Sequence, residues 1–408
     1  MGVLFERVVL IRDAQRNRNR SDSMGRSAGS ERGVGGSDQL ALRLGSVRVA
    51  LRRAQDAIPR LTELDKTLGQ RFDKRFNLLA GEVDGDAAPP RDATVAELVR
   101  KGEDLISETL AVLGGAAARH LDLDDGITSV ALRWLDQLSD QADIRKVAAV
   151  VPAATEFIGV VTEVVRLKLP LDGSWGLPVA AHEYGHFVAS VLSRTDDDGG
   201  VPDHTLLVEG LLHAGGADTD MPLIYWHGHE LFADAIATAL TGPAYPEYCL
   251  WYRFDPAQAQ TVTPTHPSLA RRMRVQLAVL RQLADADASG LIESDLDRIS
   301  ARWSDSVTAA GETAAVPIEE LLEPLEGKLL EIVRDHPQLR PIRYCDHARA
   351  RALAENDLDR LAAGTSVAQV LNAAWSARRA GPSGFQDQRT DQLSAKATAL
   401  VKEVLDRA

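Results

Sequence analysis

Two histidines one helical turn apart on an otherwise apolar segment constrain this chain more than any other feature. Residues Val179-Ala180-Ala181-His182-Glu183-Tyr184-Gly185-His186-Phe187 read H-E-x-x-H. Pro178 suits the first helical position and no proline follows until Pro202, so the spacing predicts a helix here. On a helix, positions i and i+4 share a face, so the imidazoles of His182 and His186 can grip one metal ion. Glu183 stands beside them, placed to take a proton from water rather than to ligate. A fold that uses such a helix must press a third ligand against the same face. Gly185 costs about 1 kcal/mol relative to alanine in a helix, so its presence predicts another element packed closely there.

Residues 227–240, His-Gly-His-Glu-Leu-Phe-Ala-Asp-Ala-Ile-Ala-Thr-Ala-Leu, read as a second helix, amphipathic or largely buried, through Leu231, Ala235, Ile236, Ala239 and Leu240. Glu230 and Asp234 are four apart and share a face. Glu230 is assigned as third ligand. Asp234 is assigned to hold His182 or His186 in the orientation and tautomer that ligation needs. His227 and His229 are alternatives for the third ligand, His227 lying three residues before Glu230. Two imidazoles, one carboxylate and an open fourth position are the ligand set of a single catalytic Zn²⁺, which brings the pKa of its water toward about 7. Such a site is suited to amide hydrolysis. Seven of the ten histidines (His182, His186, His204, His213, His227, His229 and His266) fall within one stretch of the chain. His204 and His213 read as loop residues. His266, before Pro267 in a non-helical segment, is a candidate catalytic donor to a developing oxyanion, against a purely structural role.

Taken together, His182-Glu183-x-x-His186, Glu230-x-x-Ala233-Asp234 and Thr265-His266-Pro267-x-x-x-x-Arg272 resemble the gluzincin metallopeptidases. The pattern is closest to the family containing the CAAX-prenyl endopeptidases and the HtpX-type membrane proteases. The resemblance spans residues 175–275 and implies a zincin-like catalytic core. Members of that family commonly carry transmembrane helices. This chain has no stretch of about 18 uninterrupted apolar residues, and its best candidate, 147–161, is broken by Pro152 and Glu156.

A formal charge of −13 argues against nucleic acid and anionic membrane surfaces as partners. Two cysteines, Cys249 and Cys345, are too few for a disulfide framework, and Glu6 and Arg7 place charge where a secretory signal would be apolar. A cytoplasmic location is therefore expected. Residues 1–38 read as a disordered basic segment rich in Arg, Ser and Gly. Gly25-Arg26-Ser27-Ala28-Gly29 matches G-x-S-x-G but lacks the strand and apolar helix that a nucleophile elbow requires. The sequence predicts a helix over 39–80, a turn-rich break at 81–93, and helices at 94–118 and 127–143. Strand signal is confined to 146–151 and 157–169, the latter a candidate for pairing with extended peptide. Helices are expected at 269–285, 294–309, 318–335, 348–363, 367–379 and 386–407, with Trp375 as a core anchor.

The sequence thus predicts an α+β, predominantly helical protein: a zincin-like core with a small β-sheet flanked by helical regions. Its expected divisions are 1–38, a helical region 39–143, a catalytic domain 144–285 and a helical region 286–408. The expected function is a zinc metallopeptidase acting on peptide or protein substrates, with Glu183 as general base. A zinc hydrolase of a non-peptide amide, or a non-catalytic peptide-binding scaffold with a degenerate zincin core, are the alternatives. Either helical region is a possible surface for a protein partner.

Overall fold

The computed structural model describes residues 66–84, 92–153, 157–159, 164–168, 173–192, 221–315, 322–356, 358–380 and 388–407, with scattered positions between 45 and 63. The arm 1–38, its G-x-S-x-G stretch, His204 and His213 lie outside the described residues. The described part is predominantly helical with one small sheet. Two compact units divide it, one comprising 2–126 with 148–169 and the other 127–147 with 170–408.

In the first unit, α1 (Lys66–Asp84) and α2 (Asp92–His120) accompany strands β1 (Ala149–Ala153), β2 (Phe157–Gly159) and β3 (Val164–Lys168). The sheet order is β1-β3-β2. β1 runs parallel to β3 and β2 antiparallel to it. The stretch 157–169, read from sequence as one strand, is therefore an antiparallel pair, with β2 ending at Gly159, a residue that weakens strands. Leu68, Phe72 and Phe76 recur at a spacing of four and are fully buried, facing Leu105, Val112 and Val151 in one core. A Cβ on Gly115 would lie 2.9 Å from the Val151 Cβ, so this glycine lets α2 close on β1. The expected break at 81–93 begins later: α1 runs through Gly81 to Asp84, and nothing lies within 4 Å of the place a Gly81 Cβ would take.

The second unit contains α3 (Ile127–Ala142), a 3₁₀ turn at Gly173–Gly176, α4 (Leu177–Val191), α5 (Met221–Thr241), α6 (Ala244–Tyr248), a π turn at Cys249–Arg253, α7 (Leu269–Asp285), α8 (Leu291–Ala309), α9 (Leu322–Asp335), α10 (His347–Glu355), α11 (Val367–Arg379) and α12 (Gln388–Arg407). α4 carries H-E-x-x-H and opens with Pro178 in its first turn. It is buried on almost every side, as is α5, against which it packs. α5 is the central helix of this unit and also contacts α7, α9 and α11. A Cβ on Gly185 would stand 2.7 Å from the Cα of Ala233, so α4 and α5 touch backbone to backbone at this point. The close approach that Gly185 implies in the sequence is thus supplied by α5. From the other side, the Tyr184 hydroxyl meets the Ser139 hydroxyl of α3 at 2.9 Å.

Trp375, 1 % exposed, anchors α11 edge-to-face against Trp175 with ring centroids 4.9 Å apart. The helix expected over 348–363 stops at Glu355. There the Asn356 amide donates back to the Ala352 carbonyl, and Leu358 turns the chain with φ 59°. Among the described residues, no helix is long and apolar enough to cross a membrane.

Candidate metal centre

The site forms where α4 crosses α5, and its residues all belong to the second unit. Spacing does the first part of the work: His182 and His186 lie one turn apart on α4, Glu230 and Asp234 one turn apart on α5. Gly185 and Ala233 bring the two faces together. One nitrogen each from His182 and His186 and one oxygen from Glu230 all lie within 4.8 Å of one another, a cluster that could hold a metal ion. Nε2 of His182 is 3.6 Å from Oε2 of Glu230, and Nε2 of His186 is 3.4 Å from Oε1.

Two buried atoms of this cluster, Nε2 of His182 and Oε2 of Glu230, have no hydrogen-bond partner, though Nη2 of Arg272 stands 3.3 Å from that oxygen as an ion pair. Leaving a buried acceptor unsatisfied costs about 1–3 kcal/mol, more when it is charged. Both atoms point into the space between the ligand candidates. The other nitrogen of His182 is fully engaged, with Nδ1 3.0 Å from Oδ1 of Asp234 and 2.9 Å from the Tyr245 hydroxyl. Tyr245 donates its own proton to Oδ1 of Asp234 at 2.6 Å. Arg272 completes the grip, giving Nε to Oδ2 at 2.7 Å and Nη2 to Oδ1 at 2.8 Å, a two-pronged pair. Asp234 is 0 % exposed, yet this pairing makes it an anion that only accepts. The proton between it and His182 therefore sits on Nδ1, and Nε2 keeps its lone pair for the cluster.

The electrostatics follow from these contacts. Burial opposes ionisation of Asp234 and Glu230, but the Arg272 guanidinium and the histidines outweigh it. Both carboxyls are held well below the usual carboxylate range. Burial and the charge of Arg253 work against a protonated His182, yet its hydrogen bond to Asp234 and the neighbouring Glu230 carboxylate raise its pKa overall. Burial and the neighbouring Asp234 charge push the Tyr245 phenol well above its ordinary value, so it remains a donor.

His186 is held differently. Its Nδ1 lies 2.8 Å from Nδ1 of His229, and the two rings stack with centroids 5.0 Å apart. His229 thus meets His186 through the nitrogen remote from Glu230. The third candidate, His227, lies with Nε2 2.9 Å from the Thr263 carbonyl, to which it donates. Of the residues the sequence left open for the third ligand, Glu230 is the one in the cluster. Glu183, 3 % exposed, lies on α4 between the two histidines.

His266 approaches from the loop before α7. Its Nε2 is 3.4 Å from Oε1 of Glu230, and its side chain is half exposed. Thr265 Oγ1 fixes Nδ1 at 2.8 Å, while Thr263 and His266 bond to each other through their main chains and the Thr263 hydroxyl. Partial burial lowers the pKa of His266 despite the Glu230 charge, and Arg272 and Arg253 add to the shift. The ring sits at the rim of the cluster, tethered and accessible.

Two participants were missed or misassigned from the sequence. Tyr245 reaches Asp234 because Gly242, at φ 59°, reverses the chain after α5. A Cβ there would strike the Tyr344 ring. His229 was weighed as a ligand rather than as a partner of His186. Comparison with protein families, with curated proteins and with solved structures finds no match for this chain.

Proposed function

We propose that this chain is a zinc-dependent peptidase in which His182, His186 and Glu230 hold one ion and Glu183 is the general base. One observation carries the reading: Nε2 of His182 and Oε2 of Glu230, both buried and without a hydrogen-bond partner, stand 3.6 Å apart, with the Arg272 guanidinium in ion-pair contact with that oxygen. Tetrahedral ligands at about 2.0–2.1 Å from zinc stand about 3.3–3.4 Å apart. The nitrogen–oxygen separations of 3.4 and 3.6 Å fit that spacing. The donor set, two imidazoles and one carboxylate, is also that of a hydrolytic zinc site.

Zinc in this position would polarise a scissile carbonyl and acidify water. The chain's own residues do the rest. Glu183 takes a proton from the attacking water and returns it to the departing amine, so the carboxylate is regenerated in each turnover. Asp234, Tyr245 and Arg272 keep the Nε2 lone pair of His182 directed at the cluster. His266, tethered by Thr265 beside the cluster, donates a hydrogen bond to the oxygen on which negative charge develops. A peptide or protein is the proposed substrate. The proposed location is the cytoplasm, in keeping with Cys249 and Cys345 as free thiols.

The test is Glu183→Gln. The variant should retain one equivalent of zinc by elemental analysis and lose about 10²–10⁴-fold in kcat on a peptide library. Turnover near wild type on any peptide that the parent cleaves would overturn the assignment.

A further inference from the structure

A second polar cluster in the same unit has the opposite electrostatic character. Glu247 of α6 and Asp295 of α8 are 0 % and 1 % exposed. Both are saturated. Glu247 Oε1 accepts from Arg298 and, at 2.8 Å, from Arg379, while Oε2 accepts the Trp251 indole at 3.3 Å. Asp295 accepts from Arg298 and Arg379, each at 3.1 Å, from Arg351 at 3.4 Å, and from His347 at 3.0 Å. Three arginines thus use up two carboxylates.

Two further arginines join the same cluster and are held on aromatic faces. The Arg302 guanidinium carbon stands 3.5 Å above the Trp251 ring. Arg378 lies 5.4 Å from the same ring, with Trp175, Trp375 and Tyr252 also around it, and donates to the Tyr252 hydroxyl at 3.0 Å. Arg298 and Arg302 are four residues apart on α8 and share its face. Nη1 of Arg298 is a buried donor without a hydrogen-bond partner. Arg302 is exposed to solvent and has no carboxylate in ion-pair contact among the described residues. Partial desolvation and the positive charges of Arg298 and Arg378 outweigh the Glu247 charge and lower its pKa. Among the described residues, five guanidiniums stand against two carboxylates at this cluster, in a chain whose net charge is −13.

We infer that Arg298, Arg302 and Arg378, gathered around Trp251, form a binding site for a phosphate dianion, free or as a phosphomonoester. Guanidinium forks offer paired, planar N–H donors that match phosphate oxygens, and stacking on Trp251 fixes the Arg302 fork in advance of binding. A dianion offsets the surplus charge more fully than a carboxylate, and Glu247 and Asp295 already occupy the carboxylate-binding faces of Arg298 and Arg379. The inference is independent of the metal reading, since no residue of the metal cluster takes part.

Isothermal titration of chelator-treated full-length protein with inorganic phosphate, and separately with phosphoserine, at fixed ionic strength is the test. Chelation removes metal as a rival phosphate ligand. Saturable binding is expected for the wild type, at least tenfold weaker in Arg302→Gln and weaker still in Arg302→Gln/Arg378→Gln. Tighter binding of phosphoserine would identify a phosphomonoester as the ligand, and tighter binding of inorganic phosphate the free ion. Arg302 is exposed, so the single variant retains the fold, checked by an unchanged circular dichroism spectrum. No saturable heat with either probe in the wild type, or equal affinity in the single variant, would overturn the inference.

Discussion

The metal cluster and the arginine cluster are built from the same materials and balanced in opposite directions. Around Glu230 and Asp234 the carboxylates exceed the one guanidinium that touches them, and imidazole lone pairs add to the surplus of acceptors. Around Glu247 and Asp295 the guanidiniums are in surplus and donors are left over. One short segment serves both: α6 and the π turn carry Tyr245 to Asp234 and, within a few residues, Glu247 and Trp251 to the arginines. A buried polar group in excess marks the sign of the charge that would complete it, positive in the first region and negative in the second.

The contrast can be broken most severely at Asp295. Asp295→Ala should lower unfolding stability by about 3–5 kcal/mol in denaturant titration, because it strands buried positive charge. A loss below 1 kcal/mol would mean that the arginines repel too little to need it. Next comes the crossing that the metal cluster depends on. Gly185→Ala favours an isolated helix by about 1 kcal/mol, yet here it should destabilise the protein by about 2–4 kcal/mol, since the new methyl meets the Ala233 backbone. A stabilised variant would show that the helices can separate.

Asp234→Ala should weaken zinc affinity about 10–100-fold in a competitive chelator titration, and Tyr245→Phe by a smaller factor in the same direction. Unchanged affinity in both would separate these residues from the ligands. The smallest effect expected is on acid sensitivity. Burial opposes the Asp295 charge, but His347 and the arginines hold its pKa well below the usual range. A carboxyl depressed in the folded state stabilises the protein above its unfolded pKa of about 3.9, and that stability is lost as pH falls further. Asp295→Asn should therefore flatten the decline in stability below about pH 4, measured by thermal unfolding.

The two regions also differ in how far they could be read in the sequence. His182, Glu183, His186, Glu230 and Asp234 were legible because a helix turns a spacing of four into adjacency, so the chain itself records which side chains share a face. Glu230 was the sequence's choice over His227 and His229 and is the one in the cluster, but the crossing of α4 and α5 that places it there is not written in the spacing. The arginine cluster left no mark at all. Its members come from α6 to α11, over a hundred residues apart, and single arginines on helices read as solvated surface. The strands were found in the right segment but miscounted, because residues 160–163 between β2 and β3 contain no proline or glycine to announce a break. The end of α10 rests on a left-handed residue at Leu358, a conformation that leucine does not advertise.

The contact between Gly185 and Ala233 has a consequence for how far the cluster beside it can deform. With no side chain between them, α4 and α5 have no compressible layer that could yield to a larger guest or collapse around a smaller one. The gap between ligand atoms is set by main chain on main chain, as in a gauge block. Adjustment at the cluster would have to come from side-chain rotation, since neither backbone can approach the other further. The rigidity of the cluster is thus written in the residue that has no side chain at all.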